Sequence, residues 1–214
     1  MKAIIFDLDG TLLDTIEDIS DSMNHVLEAR GFPRHTVAEY KRFVGDGAAN
    51  LVKRSVRGSE AAGEILTLLE QEFRADYNKR QTVKTRPYNG ISELLAALAE
   101  RGIKIAVLSN KPHDLTEKII AHYFPDVTFS AVIGQRAGFP IKPDPAAALE
   151  ILEILEVRGD DVLYVGDTGT DMQTAKAAAL TAVGALWGFR EKAELAENGA
   201  DHYAQRPMDI IMNI

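Results

Sequence analysis

Cysteine is missing from all 214 positions of the sequence. Its absence excludes disulfide bonds, thiolate metal sites and catalysis by a thiol. Long apolar runs are missing too, since none approaches the ~20 residues of a membrane-spanning helix, and we expect no contact with a membrane. An apolar strand begins directly after Lys2, which leaves no room for a signal peptide, so we expect a cytoplasmic location.

Basic residues are fewer than acidic residues in this chain. The 24 lysines and arginines are outnumbered by 32 aspartates and glutamates, which gives a formal net charge of −8 at pH 7. Nucleic-acid backbones and anionic lipid surfaces attract a basic protein face. We therefore expect neither a nucleic acid nor a membrane as a partner of this chain.

Strands and helices alternate through most of the chain. Apolar runs at Ala3–Phe6, Ile103–Leu108 and Val162–Val165 predict strands, and helical periodicity follows each of them. This alternation predicts a parallel sheet with helices on both faces. The exception is the block 15–82, where the spacing of apolar residues predicts helices alone, the longest of them from Glu60 to Asn78.

A helical block of that length is too long for an ordinary connection between a strand and a helix. We expect it to fold as a separate α-helical cap inserted into the sheet domain. The predicted organisation is therefore an α/β fold with a Rossmann-like core, residues 1–14 and 83–214, and an inserted helical cap, residues 15–82.

Two carboxylates follow the first predicted strand, in the segment Asp7-Leu8-Asp9-Gly10-Thr11. Ligands of open α/β sheets bind at the carboxyl ends of the strands, where these side chains are expected. Two close carboxylates repel each other unless a cation lies between them, and Mg²⁺ prefers oxygen ligands. The alternative is that both aspartates serve only as turn or helix-cap residues.

Polar side chains also follow two later strands. Ser109 and Asn110 follow one of them, Asp167 and then Asp171 follow the other, and Lys142 precedes a predicted helix. Each of these features alone is typical of a loop or a helix cap. Together they offer carboxylates for Mg²⁺, and hydroxyl, backbone N–H and ammonium groups for a phosphoryl group. The set predicts phosphoryl transfer.

These segments resemble the four motifs of the haloacid dehalogenase superfamily, in its branch of phosphatases with a helical cap. The matching segments are Asp7-Leu8-Asp9-Gly10-Thr11, Ser109-Asn110, Lys142-Pro143 and Gly166-Asp167 with Asp171. Within the superfamily, the chain is most similar to phosphoglycolate phosphatases, in Arg86-Pro87-Tyr88, Ser109-Asn110-Lys111-Pro112 and Trp187-Gly188-Phe189 among others. It departs from their pattern at Gln135-Arg136-Ala137-Gly138, which predicts a specificity that is not strictly for phosphoglycolate.

The resemblance implies catalytic roles for the first motif. Asp7 would be the nucleophile, which forms an aspartyl-phosphate. Asp9 would protonate the leaving oxygen and later deprotonate the attacking water. Thr11 would fix the loop that carries both aspartates.

The resemblance also implies how substrate and metal are held. Ser109, Asn110 through its backbone N–H, and Lys142 would bind the phosphoryl oxygens. Mg²⁺ would be bound by Asp7, by Asp9 through its backbone carbonyl, and by Asp167, with Asp171 close by. The cap would select the substrate, and the turn Gly45-Asp46-Gly47 is the candidate contact; an ordinary turn between helices is the alternative there.

The implied activity is Mg²⁺-dependent hydrolysis of a small phosphorylated metabolite, such as phosphoglycolate, by a monomer or homodimer. A sugar phosphomutase and an inorganic pyrophosphatase of the same superfamily are alternatives. A non-enzymatic phospho-switch is a further one. It is disfavoured because receiver domains are much shorter and carry no cap.

Overall fold

The computed structural model describes residues 1–59 and 61–213. The strands are β1 (Ala3–Phe6), β2 (Leu13–Asp14), β3 (Arg86–Pro87), β4 (Lys104–Pro112), β5 (Ala131–Gln135), β6 (Val162–Gly166), β7 (Thr181–Ala185) and β8 (His202–Ala204). The helices are α1 (Ile16–Ala29), α2 (Val37–Phe43), α3 (Gly47–Ser55), α4 (Glu64–Arg80), α5 (Ile91–Glu100), α6 (His113–Tyr123), α7 (Ala146–Leu155), α8 (Gly169–Ala177) and α9 (Lys192–Glu197).

A parallel sheet forms the centre of the fold, with strand order β5-β4-β1-β6-β7-β8. Strand β1 is buried on both faces, because its side chains alternate between two apolar clusters. Ile4 and Phe6 pack with α5 and α6, whereas Ile5 packs with α7 and α8. The predicted α/β fold with a parallel sheet and helices on both faces is confirmed. No helix of the described ranges has both the length and the apolar character to cross a membrane.

Helices α1 to α4 pack around a third apolar cluster, which includes Met23, Leu51 and Phe73 and also Leu115 of α6 and Phe189. This cluster lies above the carboxyl edge of the sheet. That residues 15–82 form a cap separate from the sheet domain stays a proposal. A two-stranded antiparallel ribbon of β2 and β3 joins the chain entering the block to the chain leaving it. The sequence predicted no strand there, since the ribbon depends on pairing between segments that are far apart.

Three boundaries differ from the predicted ones. The long helix expected from Glu60 to Asn78 is α4, which begins at Glu64, and Glu60 itself lies outside the described residues. Strand β4 does not end at Leu108 but continues to Pro112, because Pro112 pairs with Gln135 of β5 after an irregular stretch. Helix α3 begins at Gly47, which is the last residue of the predicted turn Gly45-Asp46-Gly47.

Candidate active site

The predicted polar residues meet at one edge of the sheet. Asp7 follows β1, Ser109 and Asn110 lie in the last part of β4, and Asp167 follows β6. Strand β1 lies between β4 and β6 in register, so these side chains become neighbours. All four are buried.

Three carboxylates form a cluster at this edge. Asp7, Asp167 and Asp171 each offer an oxygen, and these oxygens lie within 4.8 Å of one another. The Lys142 ammonium is inserted beside them, 2.8 Å from Asp7 Oδ1 and 2.7 Å from Asp171 Oδ1. When all of these groups are ionised, three carboxylates and one ammonium carry a net charge of two negative units. One divalent cation would balance this charge. The oxygen donors and the excess charge therefore fit Mg²⁺.

The electrostatics of the cluster show the cost of holding it without a cation. Burial raises the pKa of Asp7 to about 7, and the charge of Asp171 adds to the shift while Lys142 opposes it. Burial also raises the pKa of Asp167 well above its usual range, helped by the charges of Asp7 and Asp171. The carboxylates thus resist being ionised together.

Asp167 is held by residues on both sides. Thr11 Oγ1 donates to its Oδ1 at 3.1 Å, and the Phe189 backbone N–H donates to its Oδ2 at 2.7 Å. The approach of Phe189 requires glycine at position 188, because a Cβ there would lie 2.3 Å from Asp167 Cβ. Trp187 Nε1 donates to the Thr11 carbonyl at 2.9 Å, so the segment 187–189 braces the loop after β1.

Asp171 serves as a helix-cap residue and a member of the cluster at once. Its Oδ2 accepts from the Thr168 backbone N–H at 3.0 Å and from the Thr168 hydroxyl at 2.6 Å, which caps α8. Its Oδ1 faces Lys142 and also accepts from the Tyr164 hydroxyl at 3.3 Å. The sequence suggested either a helix-cap residue or a member of the polar site, and Asp171 is both.

Asp9 is bound by a lysine that the sequence analysis did not assign. Lys111 Nζ lies 2.9 and 3.1 Å from the two carboxylate oxygens of Asp9, and 2.8 Å from the Tyr77 hydroxyl of α4. Burial lowers the pKa of Lys111, but the charge of Asp9, the neighbouring Tyr77 and the hydrogen bonds to both together outweigh it, so this pKa stands above its usual value. The only sequence signal was a lysine directly after Ser109-Asn110.

The Asn110 side chain links the two other segments of the site. Its Oδ1 accepts from the Lys142 backbone N–H at 2.9 Å, and its Nδ2 donates to the Lys142 carbonyl at 3.1 Å. The same Nδ2 donates to the Gly45 carbonyl in the cap at 3.0 Å. Ser109 Oγ accepts from the Lys111 backbone N–H at 3.2 Å.

The predicted turn Gly45-Asp46-Gly47 touches the core in two ways. Gly45 and Gly47 line a cavity of about 60 Å³ that also contains Asp7, Asp9, Ser109 and Asn110 on its wall. The Asp46 carboxylate binds Thr170 Oγ1 at 2.6 Å and also Arg54, so its contacts join the cap loop to α8. Residues of the helical block and of the sheet domain therefore line the cavity together.

The chain is similar to known proteins in both sequence and fold. A sequence model of a family described as haloacid dehalogenase-like hydrolase matches residues 4–185. A phosphoglycolate phosphatase of Aquifex aeolicus (strain VF5) is 31% identical over 211 residues, covering 99% of this chain and 95% of that protein. One of Agrobacterium fabrum (strain C58 / ATCC 33970) is 35% identical over 197 residues, covering 87% and 81%. The crystal structure of a predicted phosphoglycolate phosphatase from Haemophilus somnus 129pt superimposes with a TM-score of 0.92 at 27% identity, covering 100% of this chain and 97% of that one.

Proposed function

We propose, from the premise that this chain belongs to the haloacid dehalogenase-like hydrolase family, that it hydrolyses a small phosphomonoester such as phosphoglycolate through an aspartyl-phosphate on Asp7. The chain is a phosphatase of that family, and the proposal concerns its substrate, its metal and its intermediate. The observation that carries it is the buried cluster of Asp7, Asp167 and Asp171 with Lys142 in contact with Asp7.

The proposed first step is attack of the Asp7 carboxylate on phosphorus. The bond from phosphorus to the alcohol oxygen breaks, and Asp9 gives this oxygen a proton as it leaves. In the second step Asp9 takes a proton from water, whose oxygen attacks the same phosphorus and releases phosphate. Asp7 is then free again, and Asp9 is protonated for the next cycle.

The other residues hold the reacting group. Lys142 lies 2.8 Å from Asp7 Oδ1 and can bind a phosphoryl oxygen beside it. Ser109 and Asn110 line the cavity together with Asp7, and the Ser109 hydroxyl and the Asn110 backbone N–H would bind the remaining oxygens. Asp7, Asp167 and the backbone carbonyl of Asp9, with Asp171 close by, would hold Mg²⁺, which would neutralise the charge between the nucleophile and the phosphate.

The size of the cavity supports a small leaving group. About 60 Å³ lies between the cap and the core in this closed arrangement. One ordered water needs roughly 10–15 Å³ of such space, so the cavity has room for the equivalent of about four to six waters in all, the phosphoryl group included. A hexose phosphate, the substrate of a sugar phosphomutase, is much larger. Phosphatase activity on a short phosphomonoester is therefore favoured over the mutase alternative.

A panel of phosphate esters tests the proposed function. We expect release of inorganic phosphate from phosphoglycolate with Mg²⁺ and none above background with EDTA, measured by a colorimetric phosphate assay. The panel should include a hexose 1-phosphate and pyrophosphate, because an isomerised sugar or preferential cleavage of pyrophosphate would instead support the two alternatives. A lasting phosphoryl group on Asp7 without turnover would support a phospho-switch.

The raised pKa of Asp7 predicts a pH-dependent stability of the Mg²⁺-free protein. Between the usual pKa of 3.8 and the folded value of about 7, the folded state keeps a proton that the unfolded chain has released. The free energy of unfolding is therefore expected to fall as the pH rises through this window, by an amount on the order of 4 kcal/mol for this group. Saturating Mg²⁺ should reduce the fall, because it stabilises the ionised carboxylates.

Urea unfolding at pH 5 and pH 8, each with EDTA and with Mg²⁺, measures this effect. The Asp7→Asn variant is the matched control, since it lacks the titrating group. Equal stability of the EDTA-treated wild type at both pH values would contradict the prediction. The cytoplasmic location and the oligomeric state, monomer or homodimer, stay predictions from the sequence.

A further inference from the structure

The cavity above Asp7 has two unlike walls. The core supplies the carboxylates and the Ser109 hydroxyl, whereas most of the other lining side chains are apolar. The apolar ones include Ile19, Val44, Leu51, Phe73, Pro112 and Leu115. Two cations, Arg74 of α4 and Lys111 of β4, interrupt this apolar wall among the described lining residues. A neutral aliphatic leaving group would not require either of them.

Arg74 carries a hydrogen-bond donor without an acceptor. Its Nε is buried, and among the residues that the structure describes no atom accepts from it. Its Nη2 is paired with Glu70 Oε1 at 2.8 Å, one turn earlier on α4, which fixes the guanidinium against the helix. A buried N–H without a partner is costly, whereas the same group bound to an anion forms a strong hydrogen bond.

Lys111 provides the second donor from the core side of the cavity. Its ammonium is nearly inaccessible to solvent and has Asp9 and the Tyr77 hydroxyl as partners in the described parts of the chain. An ammonium has three donors, and the two Asp9 oxygens and the Tyr77 hydroxyl all lie within hydrogen-bond distance of it, so a ligand oxygen would share a donor with one of them. Tyr77 lies three residues after Arg74 on α4, and both side chains line the cavity. Both cations therefore line one small cavity.

We infer that Arg74 and Lys111 are specificity-determining residues that bind a carboxylate on the leaving group. This inference rests on the proposed phosphatase function and deepens it: the substrate is a phosphomonoester of a short hydroxy acid. The phosphoryl group lies at Asp7, and the carboxylate, a few bonds away, takes the free N–H of Arg74 and a hydrogen of Lys111. The small cavity excludes longer acids, and the apolar wall disfavours a cation.

A series of three esters of equal chain length isolates the charge of the leaving group. Phosphoglycolate carries a carboxylate, ethyl phosphate carries a methyl group, and O-phosphoethanolamine carries an ammonium. With Mg²⁺ and wild-type protein, we expect kcat/KM to be about 100-fold higher for phosphoglycolate than for ethyl phosphate, and lowest for O-phosphoethanolamine. Esters hydrolysed with equal kcat/KM would overturn the inference and leave the phosphatase assignment intact.

Variants then test the two residues through the ratio of kcat/KM for phosphoglycolate to that for ethyl phosphate. Arg74→Gln and Lys111→Met are each expected to lower this ratio by about 10-fold or more. Arg74→Lys keeps the charge but lacks the Nε–H, so its ratio should lie between those of the wild type and Arg74→Gln. A merely structural role would lower both rates together, because it does not distinguish the charge of the substrate.

The control variant is Arg80→Gln. Arg80 lies on the same helix and pairs with Asp76 four residues earlier at 2.8 Å, as Arg74 pairs with Glu70, but it is not among the cavity-lining residues. The ratio of kcat/KM for phosphoglycolate to that for ethyl phosphate should be the same in Arg80→Gln as in the wild type. A ratio that is unchanged in Arg74→Gln and Lys111→Met would overturn the inference. Failure to release phosphate from any ester would overturn the proposed function, and the inference with it.

Discussion

Replacing Asp7 by asparagine is expected to reduce phosphate release at least about 1,000-fold, because the amide cannot act as the nucleophile. Asp7 is buried at the end of the central strand, in contact with Lys142 and beside Asp167 and Asp171. Another carboxylate cannot easily replace it. Asp167 is held by Thr11 and Phe189, and Asp171 by Thr168 and Lys142.

The fold of the Asp7→Asn variant should survive. The substitution keeps the shape of the side chain and removes one of three neighbouring negative charges, so we expect the Mg²⁺-free variant to be at least as stable as the wild type above pH 7. Steady-state phosphate release, thermal unfolding and intact mass measure activity, stability and the absence of deamidation.

The matched control for this prediction is Asp126→Asn, which makes the same substitution at an exposed position. It should retain wild-type turnover. Phosphate release at the wild-type rate by Asp7→Asn would show that another group is the nucleophile. Mass spectrometry of wild-type protein quenched in acid during turnover should find the phosphoryl group on Asp7.

Replacing Lys142 by methionine is expected to affect both activity and stability. The ammonium is buried between Asp7 and Asp171 and also donates to the Leu108 carbonyl at 3.2 Å. Removing one partner of a buried ion pair leaves charge uncompensated and costs about 3–5 kcal/mol. The loss should be larger at pH 8 than at pH 5, because the raised pKa of Asp7 lets that carboxyl be protonated at the lower pH.

Turnover by Lys142→Met should fall about 100- to 1,000-fold, since a charged donor to the reacting phosphoryl group is lost. Urea unfolding at the two pH values, with EDTA and with Mg²⁺, measures the stability change, and Mg²⁺ should recover part of it.

Lys118→Met serves as the control for the lysine substitution, because Lys118 lies at the surface in an exposed pair with Asp114 at 3.7 Å. Such a pair contributes about 0–1 kcal/mol, so this variant should differ little from the wild type. A Lys142→Met protein as stable as the wild type in EDTA at pH 8 would contradict the proposed charge balance of the cluster.

The resemblance to the haloacid dehalogenase superfamily and the parallel α/β sheet were both predictable, and both are confirmed. The physical reason is local. An apolar run ending in a polar residue predicts a buried strand, and parallel strands bring their carboxyl ends to one edge. Asp7, Ser109 and Asp167 could therefore be placed near one another before any coordinates existed, although their catalytic roles stay predictions.

Short pairings between distant segments could not be predicted in this way. The ribbon of β2 and β3 rests on two residue pairs, and the extension of β4 to Pro112 rests on the single pair of Pro112 with Gln135. So few residues carry no periodicity that could reveal them. They are nevertheless important, because the ribbon joins the ends of the helical block.

By itself, then, the sequence determined which side chains follow the strands of the sheet, because each strand and the polar residues after it are consecutive in the chain. Only the tertiary structure decided what faces them from the cap. Tyr77 reaches Lys111, Thr170 reaches Asp46, and the unpartnered Nε of Arg74 lies on the cavity wall. These contacts depend on how four helices pack above the sheet. Packing is a property of whole surfaces, which no local spacing of residues encodes.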